Sequence, residues 1–213
     1  MVAWDSAVRD RLRDRRDQRP SPALDDKILT DWNGLMVAAL CLAHRYLASD
    51  KALQMAERAL AFLEERLVVD GRLHHNYRQG SVGLPSFLDD HACLAWAHLE
   101  LYYLNLDREH LQRALGLVEE MIDLFVDKEE GGFYLSRADP SLLLRMKDLH
   151  DGALPSGNSV AYYVLVQLAA LFDDLRTISV LEACESHFLK ELQTVPAAYA
   201  MFVNAVLMKQ NGR

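Results

Sequence analysis

The sequence predicts an all-α protein folded as part of an α/α toroid, and three observations predict it. First, Leu35–Leu47, Phe87–Leu104 and Val160–Phe172 read as helices that are apolar nearly all the way round. Second, each is followed by a helix with one apolar stripe. The stripes are Leu53, Ala56, Leu60, Leu63, Leu67, then Leu111, Leu115, Val118, Ile122, Phe125, then Leu181, Cys184, Phe188, Leu192. A helix apolar on every side must be buried on every side, whereas a striped one covers a core and faces water. Third, the connectors alternate in length, as a two-layer ring of inner and outer helices requires.

Taken in order, the chain begins with a charged helix within residues 1–19. Its stretch Arg9–Arg19 carries six Arg against three Asp, the composition of a surface helix laced with ion pairs. Residues 20–213 hold the helix pairs. Passage from inner to outer helix is short, at Ser49-Asp50, Asn105–Asp107 and Asp173–Arg176. Passage back is long, at Val68–Ser86 and Asp127–Pro155, and loops of that length tend to carry function. Arg72–Tyr77 and Gly132–Leu135 within them read as short β-hairpin-like pieces. We count about seven or eight helices by usual helix lengths. A ring of six pairs needs twelve, so the 1–213 unit is expected to be an open arc, or a piece of a larger ring, forming a single domain.

Composition restricts partners. A chain of 213 residues with 51% hydrophobic content can bury a sizeable core, and its net charge of -8 argues against nucleic acid and anionic membranes. No signal peptide and no apolar run of about 18 residues is visible, and Cys41, Cys93 and Cys184 show no CxxC spacing. These features predict a cytoplasmic protein with buried, reduced cysteines.

Three polar clusters sit where inner helices begin: DDKILTDWNG (25–34), FLDDH (87–91) and DGALPSGNS (151–159). Helix N-termini present free N–H groups and partial positive charge, which suits oxygen-rich ligands. In a toroid these ends share one mouth. Candidate acid–base groups are Asp26, Asp90, His91 and Asp151, because a carboxylate against an apolar wall holds its proton and His is the commonest general base. Trp32 and Tyr77 offer stacking surfaces for a sugar ring, while Asn33, Asp89, Ser156 and Asn158 offer hydroxyl-binding groups. Arg145 and Lys147 supply positive charge, and Lys147 is expected beside one of the converging acids. Each cluster also reads as plain capping, with Thr30 or Asp31 as the first helix's N-cap. No metal site is expected: His74 and His75 are adjacent, so on a strand they face opposite ways, and no HExxH or Cys/His quartet occurs. No cofactor is expected either, since no Gly-rich phosphate loop precedes a helix.

The strings DDKILTDWNGLMVAAL, FLDDHACLAWAHLELY, GGFYLS and RMKDLHDGALPSGNSVA resemble the C-terminal half of the family typified by spermatogenesis-associated protein 20. The resemblance runs from about Arg19 to Ala170. It implies a six-hairpin glycosidase-like toroid, similar to N-acylglucosamine 2-epimerases and several glycoside hydrolases, following a thioredoxin-like domain that is not expected within these 213 residues. The expected role is therefore carbohydrate binding or processing, by hydrolysis through two carboxylates or by epimerisation with His91 or His150 as base. The alternative is a non-catalytic ligand- or partner-binding helical module. A small sugar-like molecule is the expected ligand. An arc missing part of its ring should expose apolar surface near Leu99, Tyr162 and Val166, so a homo-oligomer is expected.

Overall fold

The computed structural model describes residues 6–212, which form eight α-helices and five short strands. Helix α1 (Ser6–Asp17) contains no buried residue and carries Arg13–Asp10 as an i,i+3 pair at 3.9 Å. Inner helices are α2 (Thr30–Leu47), α4 (Leu88–Asn105), α6 (Gly157–Leu171) and α8 (Ala200–Gln210). Outer helices are α3 (Asp50–Leu67), α5 (Arg108–Phe125) and α7 (Leu175–Thr194). The inner helices pack side by side in the order α2, α4, α6, α8, with α3 against α2, α5 against α4 and α7 against α6. This is the predicted alternation, with all long connectors on one face.

The striped helices bury the expected faces. In α3 these are Ala52, Ala56, Leu60, Leu63 and Leu67, and in α5 they are Ala114, Val118, Met121, Ile122 and Phe125. Two apolar clusters result. One joins α2, α3 and α4 through Val37, Cys41, Leu60, Leu63 and Leu101; the other joins α4 to α8 through Leu99, Phe125, Val164, Phe188 and Phe202. Helix α4 is the wall common to both. It approaches α2 so closely that a Cβ at Gly34 would lie 2.8 Å from the Cys93 carbonyl carbon, which explains the glycine.

The structure corrects the sequence reading at four places. Helix α2 is apolar all round yet exposes Trp32, Met36, Tyr46 and Leu47, so the open side of the arc lies there. Leu99, Tyr162 and Val166, expected at an uncovered surface, are buried. Tyr162 stacks on Phe202 at 4.1 Å, because α8 supplies a fourth inner helix on that side. The N-cap of α2 is Leu29, not Thr30 or Asp31: Ile28–Leu29 forms strand β1, which leads straight into the helix. Strand β1 pairs with β4 (Asn76–Arg78), which pairs with β5 (Ser81–Val82), while β2 (Val68–Val69) pairs with β3 (Arg72–Leu73). Finally, Gly132–Leu135 forms one bridge, Val126 with Phe133, rather than a strand. The Asn158 side chain replaces a second strand there, accepting from Phe133 N at 2.8 Å and donating to Phe133 O at 2.9 Å. Among the described residues no helix is long and apolar enough to cross a membrane.

Candidate functional site

The N-termini of the inner helices meet as the sequence implies, and carboxylates staple them to one another. Successive residues on a helix point about 100° apart, so Asp89 and Asp90 at the start of α4 reach opposite neighbours. Asp90 turns toward α2. Its Oδ1 accepts from Asp31 N at 3.1 Å and its Oδ2 accepts from Phe87 N at 2.8 Å. His75 Nδ1 completes the shell at 3.0 and 3.1 Å. Asp90 is fully buried, and its hydrogen bond to His75 raises the imidazole above its ordinary pKa against the opposing effect of burial. The pair is therefore an ionic clamp between α4 and the hairpin loop before it.

Asp89 turns toward α6. Its carboxylate accepts the backbone N–H of Gly157, the first residue of α6, and a Cβ at Gly157 would collide with Asp89 Oδ1. Burial and then repulsion from Asp31, Asp90 and Asp148 push the Asp89 carboxyl up to about 6. Asp31 is raised as well, by burial first and by Asp90 second. Further round, Asp151 accepts from Ser156 N at 2.9 Å and from Met201 N at 2.7 Å, tying the starts of α6 and α8 together.

A cavity of about 330 Å³ opens beside Asp89. Asp31, Asp89, Asp148 and His150 line its polar side, with Ser156, Gly157 and Asn158 at the start of α6. Leu35, Leu88, Cys93, Leu135 and Leu154 form its apolar side. Leu149 is buried between exposed Asp148 and His150, so alternation along this extended segment turns both toward the opening. Ser156 and Asn158 are held rigidly: Ser156 Oγ donates to Leu149 O at 3.0 Å, and Asn158 Nδ2 to Asp148 O at 2.8 Å. The cavity lies within the usual size range for small-molecule sites, at the lower end.

Of the residues singled out from sequence, Asp89, Ser156 and Asn158 line this cavity, and so does His150. The others are not part of its lining. Asp26 is exposed and paired with Arg78. Asn33 donates to Leu29 O at 2.7 Å, and Trp32 is 58% exposed outside the cavity. Tyr77 packs edge-on against Phe62 at 5.6 Å. His91 points outward, between Phe87 O and Glu120, with its ring against Phe125. Arg145 holds Ser136 O and Leu124 O and lies 4.0 Å over the Tyr134 ring. Lys147 does sit at a carboxylate, but it is Asp127, at 2.6 Å, which is not part of the cavity lining. That ammonium, with the Tyr134 hydroxyl, holds Asp127 well below the usual carboxylate range. Asp31 and Asp148 are the cavity carboxylates that sequence reading missed. In the sequence Asp31 reads as a cap, and Asp148 carries one signal, the i,i+2 spacing with His150 around an apolar residue.

Among the described residues, Asp31, His75 and Asp90 place ligand-type atoms within 4.8 Å of one another. Both Asp90 oxygens already accept backbone N–H groups there, and His75 fills the remaining position. That geometry suits a proton-mediated ion pair.

Comparison with known proteins fits this architecture. No family model matches the chain. Human spermatogenesis-associated protein 20 is 31% identical over 94% of it. The chain is homologous to spermatogenesis-associated protein 20. It spans about a quarter of that relative's length, 27%. Spermatogenesis-associated protein 20 of the rat gives a match of the same extent at 32% identity. Solved structures with the same fold include the GH76 α-mannanase BT2949 of Bacteroides thetaiotaomicron, with TM-score 0.62 and 18% identity over 80% of this chain and 47% of that one. Cellobiose 2-epimerase of Spirochaeta thermophila gives 0.61 and 17% over 76% and 43%. A third is the α-1,6-mannanase GH76A of Salegentibacter, described as an inactive variant with two consecutive aspartates replaced by asparagine, bound to α-1,6-mannotriose. It gives 0.59 and 12% over 75% and 46%. At these identities the likeness shows the fold alone, that of an arc of an α/α toroid.

Proposed function

We propose that the mouth cavity is a carbohydrate site and that the chain processes sugars in the manner of a glycoside hydrolase, with Asp89 as the general acid. The observation that carries this reading is the Asp89 carboxyl, pushed up to about 6 in a cavity that also holds a second carboxylate, Asp31. Glycoside hydrolysis needs a pair of carboxyl groups of which one keeps its proton near neutral pH. Asp89 donates its proton to the leaving glycosidic oxygen as the C1–O bond breaks. A water attacks C1 and gives its proton to Asp31. The consecutive aspartates of the inactive mannanase variant support the role by analogy, since Asp89-Asp90 is the consecutive pair at this mouth. His150, also on the cavity wall, is the base that a 2-epimerase-type reaction would use.

The test is reducing-sugar release from mannan and cello-oligosaccharides by the wild-type chain and by Asp89→Asn. The expected result is turnover that falls by at least about 100-fold in the variant, the usual weight of a general acid, while the fold is retained. No turnover and no saccharide binding by the wild type would leave the non-catalytic module as the reading. Turnover unchanged in Asp89→Asn would remove Asp89 from the chemistry.

A further inference from the structure

The cavity has carboxylates but no lysine or arginine. Asp31, Asp89 and Asp148 line it, and Asp90 lies directly behind. Four cations on the adjoining segments are engaged elsewhere. Lys147 is tied to Asp127 and to Gly131 O at 2.9 Å. Arg145 is held by the Ser136 and Leu124 carbonyls, and Arg137 donates to Ser86 Oγ at 2.6 Å. Arg78 pairs with Asp26. His75 balances one carboxylate, Asp90, and the exposed His150 is the remaining imidazole on the wall. Negative charge at this mouth therefore exceeds positive charge in the empty cavity. The apolar wall of Leu35, Leu88 and Leu135 lowers the local dielectric and strengthens the imbalance.

Resting on the reading of the cavity as a carbohydrate site, we propose that it prefers sugars bearing a free protonated amine, amino sugars that are not acylated, over neutral ones. An ammonium entering here gains charge-assisted hydrogen bonds from Asp31, Asp89 or Asp148 and relieves their mutual repulsion. A neutral hydroxyl at the same place gains a weaker bond and relieves nothing. A sugar carboxylate or phosphate meets three lining carboxylates and no lysine or arginine, so acidic sugars are disfavoured. The absence of an aromatic platform in the cavity agrees with this, because recognition then falls on polar contacts: Trp32 and Tyr77 both lie outside it.

The test is ligand-observed NMR titration of the full chain at pH 7 with D-glucosamine, N-acetyl-D-glucosamine, D-glucose and D-glucuronate. Glucosamine is expected to bind about 10-fold tighter than glucose or the acetylated sugar, one charge-assisted bond's worth of preference, and glucuronate weakest. Asp148→Asn should shrink the amine preference to within about 3-fold, as should raised salt. Glucose or the acetylated sugar binding as well as glucosamine would overturn this inference while leaving the carbohydrate site standing. An amine preference untouched by Asp148→Asn would also overturn it, by putting the selecting charge elsewhere. If none of the four sugars binds at millimolar concentration, the inference and the carbohydrate reading fail together.

Discussion

Asp89 and Asp90 are neighbours in sequence, and the two seams they serve could hardly differ more. At the α2–α4 seam Asp90 is sealed from solvent, its oxygens taken by two backbone N–H groups and the His75 ring. At the α4–α6 seam Asp89 accepts from Gly157 but faces a cavity, with three other carboxylates near it and no lysine or arginine in the lining. One carboxylate is fully compensated and holds the arc together. The other is undercompensated and keeps its proton to about pH 6. The difference teaches that compensation, more than position at a helix start, separates a structural acid from a reactive one.

The largest expected effect comes from Asp90→Asn. The amide cannot accept from both backbone donors and would leave His75 without its counter-charge, so unfolding should cost about 3–5 kcal/mol less, the range for breaking one side of a buried pair. Chemical denaturation measures it, and a silent variant would break the comparison. Next is Gly157→Ala, whose methyl group must displace Asp89. We expect a loss of about 1–3 kcal/mol from overpacking, accompanied by loss of saccharide binding.

Asp89→Asn should act in the opposite direction to Asp90→Asn. Its folded-state pKa is raised, so the wild type bears no cost below about pH 4, where the unfolded carboxyl is also protonated. A cost then grows as pH rises to about 6 and stays constant above. At pH 7 to 8 the asparagine variant, which still accepts from Gly157, should be about 1–2 kcal/mol more stable than wild type. Thermal melts across pH 4 to 8 would show the gap opening. His75 has the complementary behaviour. Its pKa is raised by Asp90, so its contribution is complete below about 6.5 and fades as pH climbs through the folded value. The deficit of His75→Gln should shrink at alkaline pH accordingly. The smallest effects belong to residues outside both seams: Asp26→Ala and Trp32→Ala should leave melting temperature and sugar affinity unchanged.

The helices could be read from sequence because burial repeats with the helix period, and that signal is local. Leu60, Leu63 and Val118 are buried as their spacing demands. The site was only half legible for a matching reason. That FLDDH and PSGNS stand at helix starts is local information. Which of two adjacent aspartates faces which neighbour depends on how α4 is rotated against α2 and α6, and close approaches at Gly34 and Gly157 set that rotation. His91 lies away from the cavity because one further step round α4 turns it to the outer layer, against Glu120 and Phe125. Lys147 is drawn to Asp127, which lies twenty residues earlier just past the end of another helix, a pairing no periodicity reveals.

The most direct test of the account is a carbon-13 titration of the Asp89 side-chain carboxyl in the wild-type chain, repeated in Asp31→Asn. The account predicts a midpoint near 6 in the wild type and a lower one in the variant, where one of the repelling carboxylates is gone. A wild-type midpoint at the ordinary aspartate value, unmoved by Asp31→Asn, would contradict it and return Asp89 to the role of a helix staple.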